Sequence, residues 1–400
     1  MLQETLSTPV IDRYDVAVCG GGFGGIAAAL AAARHGKKVV LFEKMYLLGG
    51  LGTAGIVTIY LPLCDGMGHQ VSFGIAEELL RLSIEDGAEA RYPANWLDGV
   101  GTRTEKDKRF EVQFNPALFA MKAEKLLADC GVDILYGAYA VGCECDGDRI
   151  SHVIIESKSG RQAYAVRSVI DATGDCDIAY FSGVPTETFK QGNILASWYY
   201  SVGADGYNLH MLGYCDIPEE EKKAGNEVKL LLNRRFAGLD QEEISEFLVE
   251  SHQSTYRDVC KRRENDPDYW PVTMASMPQL RMTRRIVGEY ELSTEEMHKT
   301  FADSVGMIAN WRKRGPVYEV PFSTLYSAKM KNLITAGRCT SVSESMWDLM
   351  RVIPCCAVTG QAAGTAAALT DDFTRTDIPA LQQMLERDGV VLHETWREEA

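Results

Sequence analysis

Gly20-x-Gly22-x-x-Gly25, followed after the next apolar run by Glu43, is the spacing in this chain that carries the clearest chemistry. The first glycine permits a tight turn and the second lets a pyrophosphate approach the backbone. The third lets a helix and a strand pack closely. A helix that opens at this point presents free N–H groups and the positive end of its dipole to phosphates. Glu43 lies 23 residues beyond Gly20, where a carboxylate accepts hydrogen bonds from both ribose hydroxyls and repels a 2′-phosphate. The bland alternative is a tight glycine loop with no ligand. Dinucleotide binding is preferred because strand, helix, second strand and terminal acid are all in place.

Other chemistry-bearing residues are more open to interpretation. Arg281, Arg284 and Arg285 form a basic cluster in an acidic stretch. One of them clamping a substrate carboxylate or positioning a proton donor over a cofactor ring is the functional reading, with Arg284 or Arg285 ahead of Arg281. Pairing with nearby acids such as Glu289 and Glu291 is the bland one. His69, one of seven histidines, sits in the glycine-rich CDGMGHQ loop, as a general acid or base or as a loop histidine bonded to backbone. Glu344, Trp347, Asp348 and Arg351 belong to an expected loop beside the re or si face of a cofactor ring. Arg351 is the leading candidate there for a substrate-facing charge, against a salt bridge to Asp348. Cys355-Cys356 invites a redox-disulfide reading, but adjacent cysteines close only a strained ring and buried thiols are common. Cys143 and Cys145 alternate on one strand face, which packing explains.

These residues need elements to hold them. Tyr14–Cys19 reads as a buried strand, Ile26–His35 as an alanine-rich helix ended by Gly36, and Lys38–Phe42 as a second buried strand: a βαβ unit. A second glycine-rich stretch, LGGLGTAG, spans 48–55. Residues 74–86 read as an amphipathic helix. Asn115–Cys130 reads as a helix with Asn115 as N-cap, Pro116 at N1 and Gly131 as its stop. Strands are then expected at Val132–Tyr136, Ala138–Cys145, Arg149–Ser157, Gln162–Val166 and Ser168–Asp171. The stretch from about 185 to 325 is acidic and rich in Trp and Tyr, with a strand at Ser197–Val202 and a helix from Asp240 with Glu243 as capping-box partner. Asn332–Ala336 returns to a buried strand, and Val352–Leu369 is a long small-residue helix. The expected architecture is α/β: a Rossmann-type dinucleotide-binding domain, with parallel sheet plus antiparallel β-meander, over 12–60, 110–185 and 326–372. An inserted α+β substrate domain takes 61–109 and 186–325, and 373–400 forms a helical tail.

Composition narrows the function classes. Lys plus Arg total 41 against 56 Asp plus Glu, a net charge of −15 that disfavours nucleic-acid binding. The basic run at 281–285 is too short for a nucleic-acid stripe. No run of 18 apolar residues escapes a charge, so no membrane span is expected. The eleven cysteines lack zinc or iron–sulfur spacing, and no metal site is expected. With no secretion-type N-terminus they read as reduced thiols, and the cytoplasm is the expected address.

The motifs GGGFGG…FEK, LLGGLGTAG, LPLCDGMG, VIDATGDCDIA, RRIVGEY, ITAGRC and RVIPCCAVTGQAAGTAAAL run through most of the chain. Together they resemble the glutathione-reductase-like FAD superfamily, and within it the bacterial proteins grouped as FAD-dependent oxidoreductases. The resemblance implies that Gly20, Gly22 and Gly25 hold the FAD pyrophosphate and that Glu43, followed by Lys44, serves the adenosine ribose. It places Gly49, Gly50 and Thr53 beside the ribityl chain or ring edge, and the Val141 backbone at adenine. Thr173, Gly174 and Asp175 would close over the adenosine side, and Gly337 and Arg338 over phosphates and ribityl. The helix after Pro354, with Gly360 and Gln361, would aim its N–H groups at the flavin C2 carbonyl. The activity implied is hydride transfer between flavin N5 and a small organic substrate, with His69, Arg284, Arg285 and Arg351 as catalytic candidates. A hydroxy acid, alcohol or amine comes first, and an activated alkene next. The rivals are an electron-transfer subunit working with a redox partner protein, and a non-catalytic FAD-binding protein.

Overall fold

A computed structural model describes residues 3–86, 111–223 and 228–396. The expected cap residues between 87 and 110 lie outside the described residues. Strand β1 (Val10–Cys19), helix α1 (Phe23–Arg34) and strand β2 (Val39–Glu43) open the fold. The inner ends of both strands are apolar runs rather than alternating patterns, as suits parallel strands buried on both faces. Helices α2 (Ile75–Ile84) and α3 (Pro116–Asp129) follow. Asn115 caps α3 as expected, its side chain accepting from the N–H groups of Ala117 and Leu118.

The main sheet then fills with β3 (Asp133–Tyr136), β4 (Tyr139–Asp146), β5 (Arg149–Ser157) and β6 (Gly160–Asp171). Its order is β3-β2-β1-β6-β5-β4, and β7 (Leu333–Thr335) pairs with β6 in parallel. β1 sits between β2 and β6 with Val16 level with Val39 on one side and Ser168 on the other. β4 and β5 form the antiparallel meander.

Two strands were expected where the single strand β6 runs for 12 residues. It is unbroken because its partners overlap: β5 covers Gly160–Ala165, β1 covers Ala163–Asp171, and β7 covers Val169–Asp171. Helix α1 likewise begins at Phe23 rather than Ile26, so Gly24 and Gly25 lie inside it. Packing against neighbouring backbone overrides their poor helix propensity.

Beyond β6 come α4 (Asp177–Phe181) and α5 (Gln241–Arg263). Helix α5 packs on a three-stranded antiparallel sheet formed by Gly206–Leu212, Ser197–Gly203 and Trp270–Met274. The expected capping box at Asp240 is only half made. Asp240 accepts from Glu242 and Glu243 N–H, but the Glu243 carboxylate reaches past it to the N–H groups of Ala237 and Gly238. Residues 344–350, expected as a loop, form helix α6 (Glu344–Met350), which Ser343 caps. Helix α7 (Ile353–Leu369) crosses α1, and α8 (Ile378–Arg387) is the last helix of the described residues. Among the described residues no single helix is long and apolar enough to cross a membrane; α6 and α7 pass that test only as a pair bent by 88°.

Candidate functional site

A cleft of about 350 Å³ opens where the C-terminal ends of β1, β2 and β6 meet α1, the loop after β2 and the start of α7. The three fingerprint glycines divide its construction. Gly20 has φ +105°, and a Cβ there would lie 2.3 Å from the Ala172 carbonyl oxygen. At Gly25 a Cβ would lie 1.8 Å from the Gly20 carbonyl oxygen. At Gly22 a Cβ would meet nothing within 4 Å. The outer two glycines are therefore demanded by packing, whereas the middle one leaves bare backbone facing the cleft. Helix α1 begins there with no side-chain cap and no acid in its first turn. Its first intrahelical bond runs from Ile26 N–H to Gly22 C=O, so the N–H groups ahead of it are free for an anion. This is the cradle a pyrophosphate requires.

Glu43 is buried at the end of β2. One of its oxygens accepts the Gly21 N–H at 2.7 Å and the other accepts the Met45 N–H at 2.7 Å. Burial pushes its carboxyl up, against those two bonds, which favour the ionised form. Both oxygens keep a second lone pair for ribose hydroxyls. Lys44 stands 3.8 Å from the Asp175 carboxylate. Burial lowers its ammonium, but Asp175, Tyr139, Asp177 and Glu43 together more than reverse this and hold it up.

The second glycine loop is clasped to the first, with the Gly49 N–H donating to the Gly21 carbonyl at 2.8 Å. Gly49 and Gly50 line the cleft. Thr53 does not. It lies behind Gly49 and donates its hydroxyl to the Leu48 carbonyl at 2.5 Å. Thr173, Gly174 and Asp175 form the opposite wall. Thr173 donates to the buried Asp171 at 2.7 Å, and the Arg338 guanidinium lies on Gly174 where a Cβ would be 2.2 Å away. Arg338 donates to the Leu280 and Arg281 carbonyls at 3.1 and 3.0 Å. Gly337 turns with φ +71° and donates its N–H to Thr359.

The remaining cofactor candidates lie elsewhere. Val141 is the extra residue of a bulge on the edge strand β4, next to Ala140, which does line the cleft. Gly360 packs on α1, and Gln361 accepts the Ile75 N–H at 2.8 Å, tying α2 to α7.

Of the four catalytic candidates the structure brings one to the cleft. Arg351 lines it beside Ile353 and Cys356 and is bonded to the buried Asp348, Nε at 3.1 Å and Nη2 at 2.6 Å. Burial would lower the Arg351 guanidinium, and Asp348 reverses this and raises it. Burial would raise Asp348, but Arg351 and Arg312 hold it below the usual carboxylate range. Arg351 thus makes the expected salt bridge to Asp348 and also lines the cleft. Arg284 bonds the Asp175 carbonyl and Asp177 at 2.9 and 2.7 Å, and Arg285 bonds Glu187 and Glu291 at 2.8 and 2.5 Å. Glu289, named as a partner for the cluster, instead accepts the Ala328 N–H. His69 is outside the cleft, bonded to Asp65 at 2.8 Å and stacked on Trp396 with ring centroids 5.0 Å apart. Cys355 and Cys356 are free buried thiols, and burial pushes Cys356 up to about 12.

Several residues in or beside the cleft went unnamed. Gly21 is needed because a Cβ would lie 2.9 Å from a Glu43 oxygen, and Gly24 because Gly337 and Cys356 lie against it. The unbroken GGGFGG run was a usable signal for both. Asp177, two residues after Asp175, lines the cleft with its carboxyl pushed up to about 6 by burial and by Asp175 and Asp171. No local signal distinguishes it from Asp175.

A family model described as FAD dependent oxidoreductase matches residues 15–197 and 192–385. A thiamine thiazole synthase of Desulfosudis oleivorans is 45% identical over 58 residues, covering 12% of this chain and 22% of that protein. A thioredoxin reductase of Ureaplasma parvum is 31% identical over 71 residues, 18% of this chain and 23% of that one. The chain spans less than a quarter of the length of the curated relatives it matches. A geranylgeranyl bacteriochlorophyll reductase-like structure from Thermoplasma acidophilum is similar at 14% identity and TM-score 0.46, covering 95% of this chain and 83% of that one.

Proposed function

The chain belongs to the FAD-dependent oxidoreductase family, and from that starting point we propose that it is a hydride-transfer enzyme acting on a small organic substrate. A hydroxy acid, alcohol or amine is the first choice and an activated alkene the second. The proposal also places the chain in the glutathione-reductase-like superfamily. FAD is its cofactor, and when bound it supplies an N5 position that accepts or donates a hydride. Gly20, Gly22 and the free N–H groups of α1 suit its pyrophosphate, and Glu43 suits the adenosine ribose. Gly49, Gly50, Gly337 and Arg338 suit the stretch between pyrophosphate and ring.

The chain's own contribution at the reacting end is positional and electrostatic. Helix α7 begins without a side-chain cap, and Ile353 and Cys356 of its first turn line the cleft. Its free N–H groups stabilise negative charge brought near them. Arg351, fixed by Asp348 and so unable to swing freely, orients a polar substrate group and remains cationic throughout. The Arg351 guanidinium in the same cleft as the pyrophosphate cradle is the observation that carries the reading.

The test is spectroscopic. The purified protein is denatured and its supernatant assayed for FAD. The intact protein is then mixed anaerobically with hydroxy acids, alcohols and amines while the flavin band is followed. Bleaching by one class supports the reading. A flavin bleached by dithionite but by none of these substrates turns the assignment toward electron transfer with a protein partner.

A further inference from the structure

We propose that Arg281, with Arg351 and Arg312 beside it, forms an anion site that holds the carboxylate of an organic substrate. The inference rests on the hydride-transfer reading above and names the substrate class. Arg281 is 7% exposed. Its Nε and Nη2 have no hydrogen-bond partner among the described residues. These two nitrogens share one edge of the guanidinium, the edge that grips a carboxylate through two parallel N–H···O bonds.

The surroundings hold too little negative charge. Asp348 is the buried carboxylate of the cluster, and it is already bonded to Arg351 and Arg312 at 2.6 and 2.5 Å. Asp216 is engaged by Arg235, Gln191 and Lys222. Arg281 is left with the face of Trp198, 5.0 Å from its guanidinium carbon, and with the Cys215 thiol. Arg312 also contacts that thiol, at 3.6 Å. Three arginines thus surround one carboxylate and one thiol. Burial first, and the charge of Arg351 in addition, push the Arg281 guanidinium down to about 10. An anion would relieve both effects, because buried charge is tolerated when paired and hydrogen-bonded. The free edge is covered by protein in this conformation. Binding there is therefore an induced fit. Arg351 lines the cofactor cleft, so the site adjoins the reacting end.

The test uses the FAD-loaded full chain with thermal shift as readout and matched probes: benzoate against benzamide, and acetate against acetamide. Wild type is expected to be stabilised by a carboxylate and not by its neutral amide. Arg281→Met is expected to keep its FAD and melt no lower than wild type, since a buried unpaired charge has been removed. Its carboxylate affinity should fall at least tenfold. Arg281→Lys keeps the charge without the fork, and it should lose most of that affinity while folding normally, which decides the matter if the methionine variant fails to fold. Wild type that ignores both carboxylates, or an Arg281 variant that binds them as wild type does, overturns the anion site while leaving the hydride-transfer reading intact. A protein that takes up no FAD instead removes the reading on which the site rests.

Discussion

A Cβ on Gly360 would lie 2.2 Å from the carbonyl oxygen of Gly24, so α7 and α1 meet backbone to backbone at this point. The contact repeats one turn on, where a Cβ on Gly364 would lie 2.2 Å from the Ala28 carbonyl. Gly24 is also packed against Gly337, so the crossing sets the distance between the cradle on α1 and the start of α7. Gly360→Ala should therefore destabilise the protein by about 1–3 kcal/mol through overpacking and loosen FAD along with it. Thermal melting with FAD retention reads both. An alanine variant that melts like wild type would refute the close crossing.

The fingerprint glycines should respond differently to substitution. Gly22→Ala places its Cβ where nothing lies within 4 Å in the flavin-free protein, so the unliganded melting temperature should hold. FAD affinity should fall at least tenfold, about 1.4 kcal/mol. Gly25→Ala should lower the unliganded melting temperature itself, because its methyl must displace the Gly20 carbonyl. Similar behaviour in the two variants would contradict the division of roles described for these glycines.

Asp177 makes stability depend on pH. Its folded pKa of about 6 is above its ordinary value of 3.8, so folding disfavours the ionised form. Its contribution is present in full below the ordinary value and is lost as pH rises through about 6. In flavin-free protein, Asp177→Asn should therefore gain on wild type between pH 4 and pH 7, by at most about 3 kcal/mol. A melting-temperature difference that stays flat across this range would count against it.

His69 should prove dispensable for turnover. It is bonded to Asp65 and stacked on Trp396, away from the cleft. His69→Gln should keep its FAD and a rate near that of wild type. A large fall in the rate of flavin reduction would return it to the site.

Thiol reactivity should follow burial. Cys145 and Cys260 are exposed and should react first with a thiol reagent, while Cys355 and Cys356, buried and pushed up by desolvation, should react only on unfolding. Rapid labelling of either helix cysteine, mapped by peptide mass, would reopen the redox-thiol reading.

The amino-acid sequence by itself determined the parts that depend on local physics. The βαβ unit, the Asn115-capped helix and the meander strands follow from periodicity, caps and turn residues acting over a few positions. Glu43 and the glycine loops were legible for the same reason, since their spacing along the chain sets their roles. Tertiary structure decided what depends on partners far apart in sequence. β6 stays whole because β1, β5 and β7 overlap along it, which no window of residues reveals. Among the arginines, Arg284 and Arg285 were ranked ahead of Arg281. Asp177, Glu187 and Glu291 claim the first two, whereas the fold brings Arg351, Arg312 and Cys215 to Arg281 and no free carboxylate. Charge lists show how many acids and bases a chain has. Only folding determines which of them are neutralised, because pairing depends on proximity through space and on the water that burial removes.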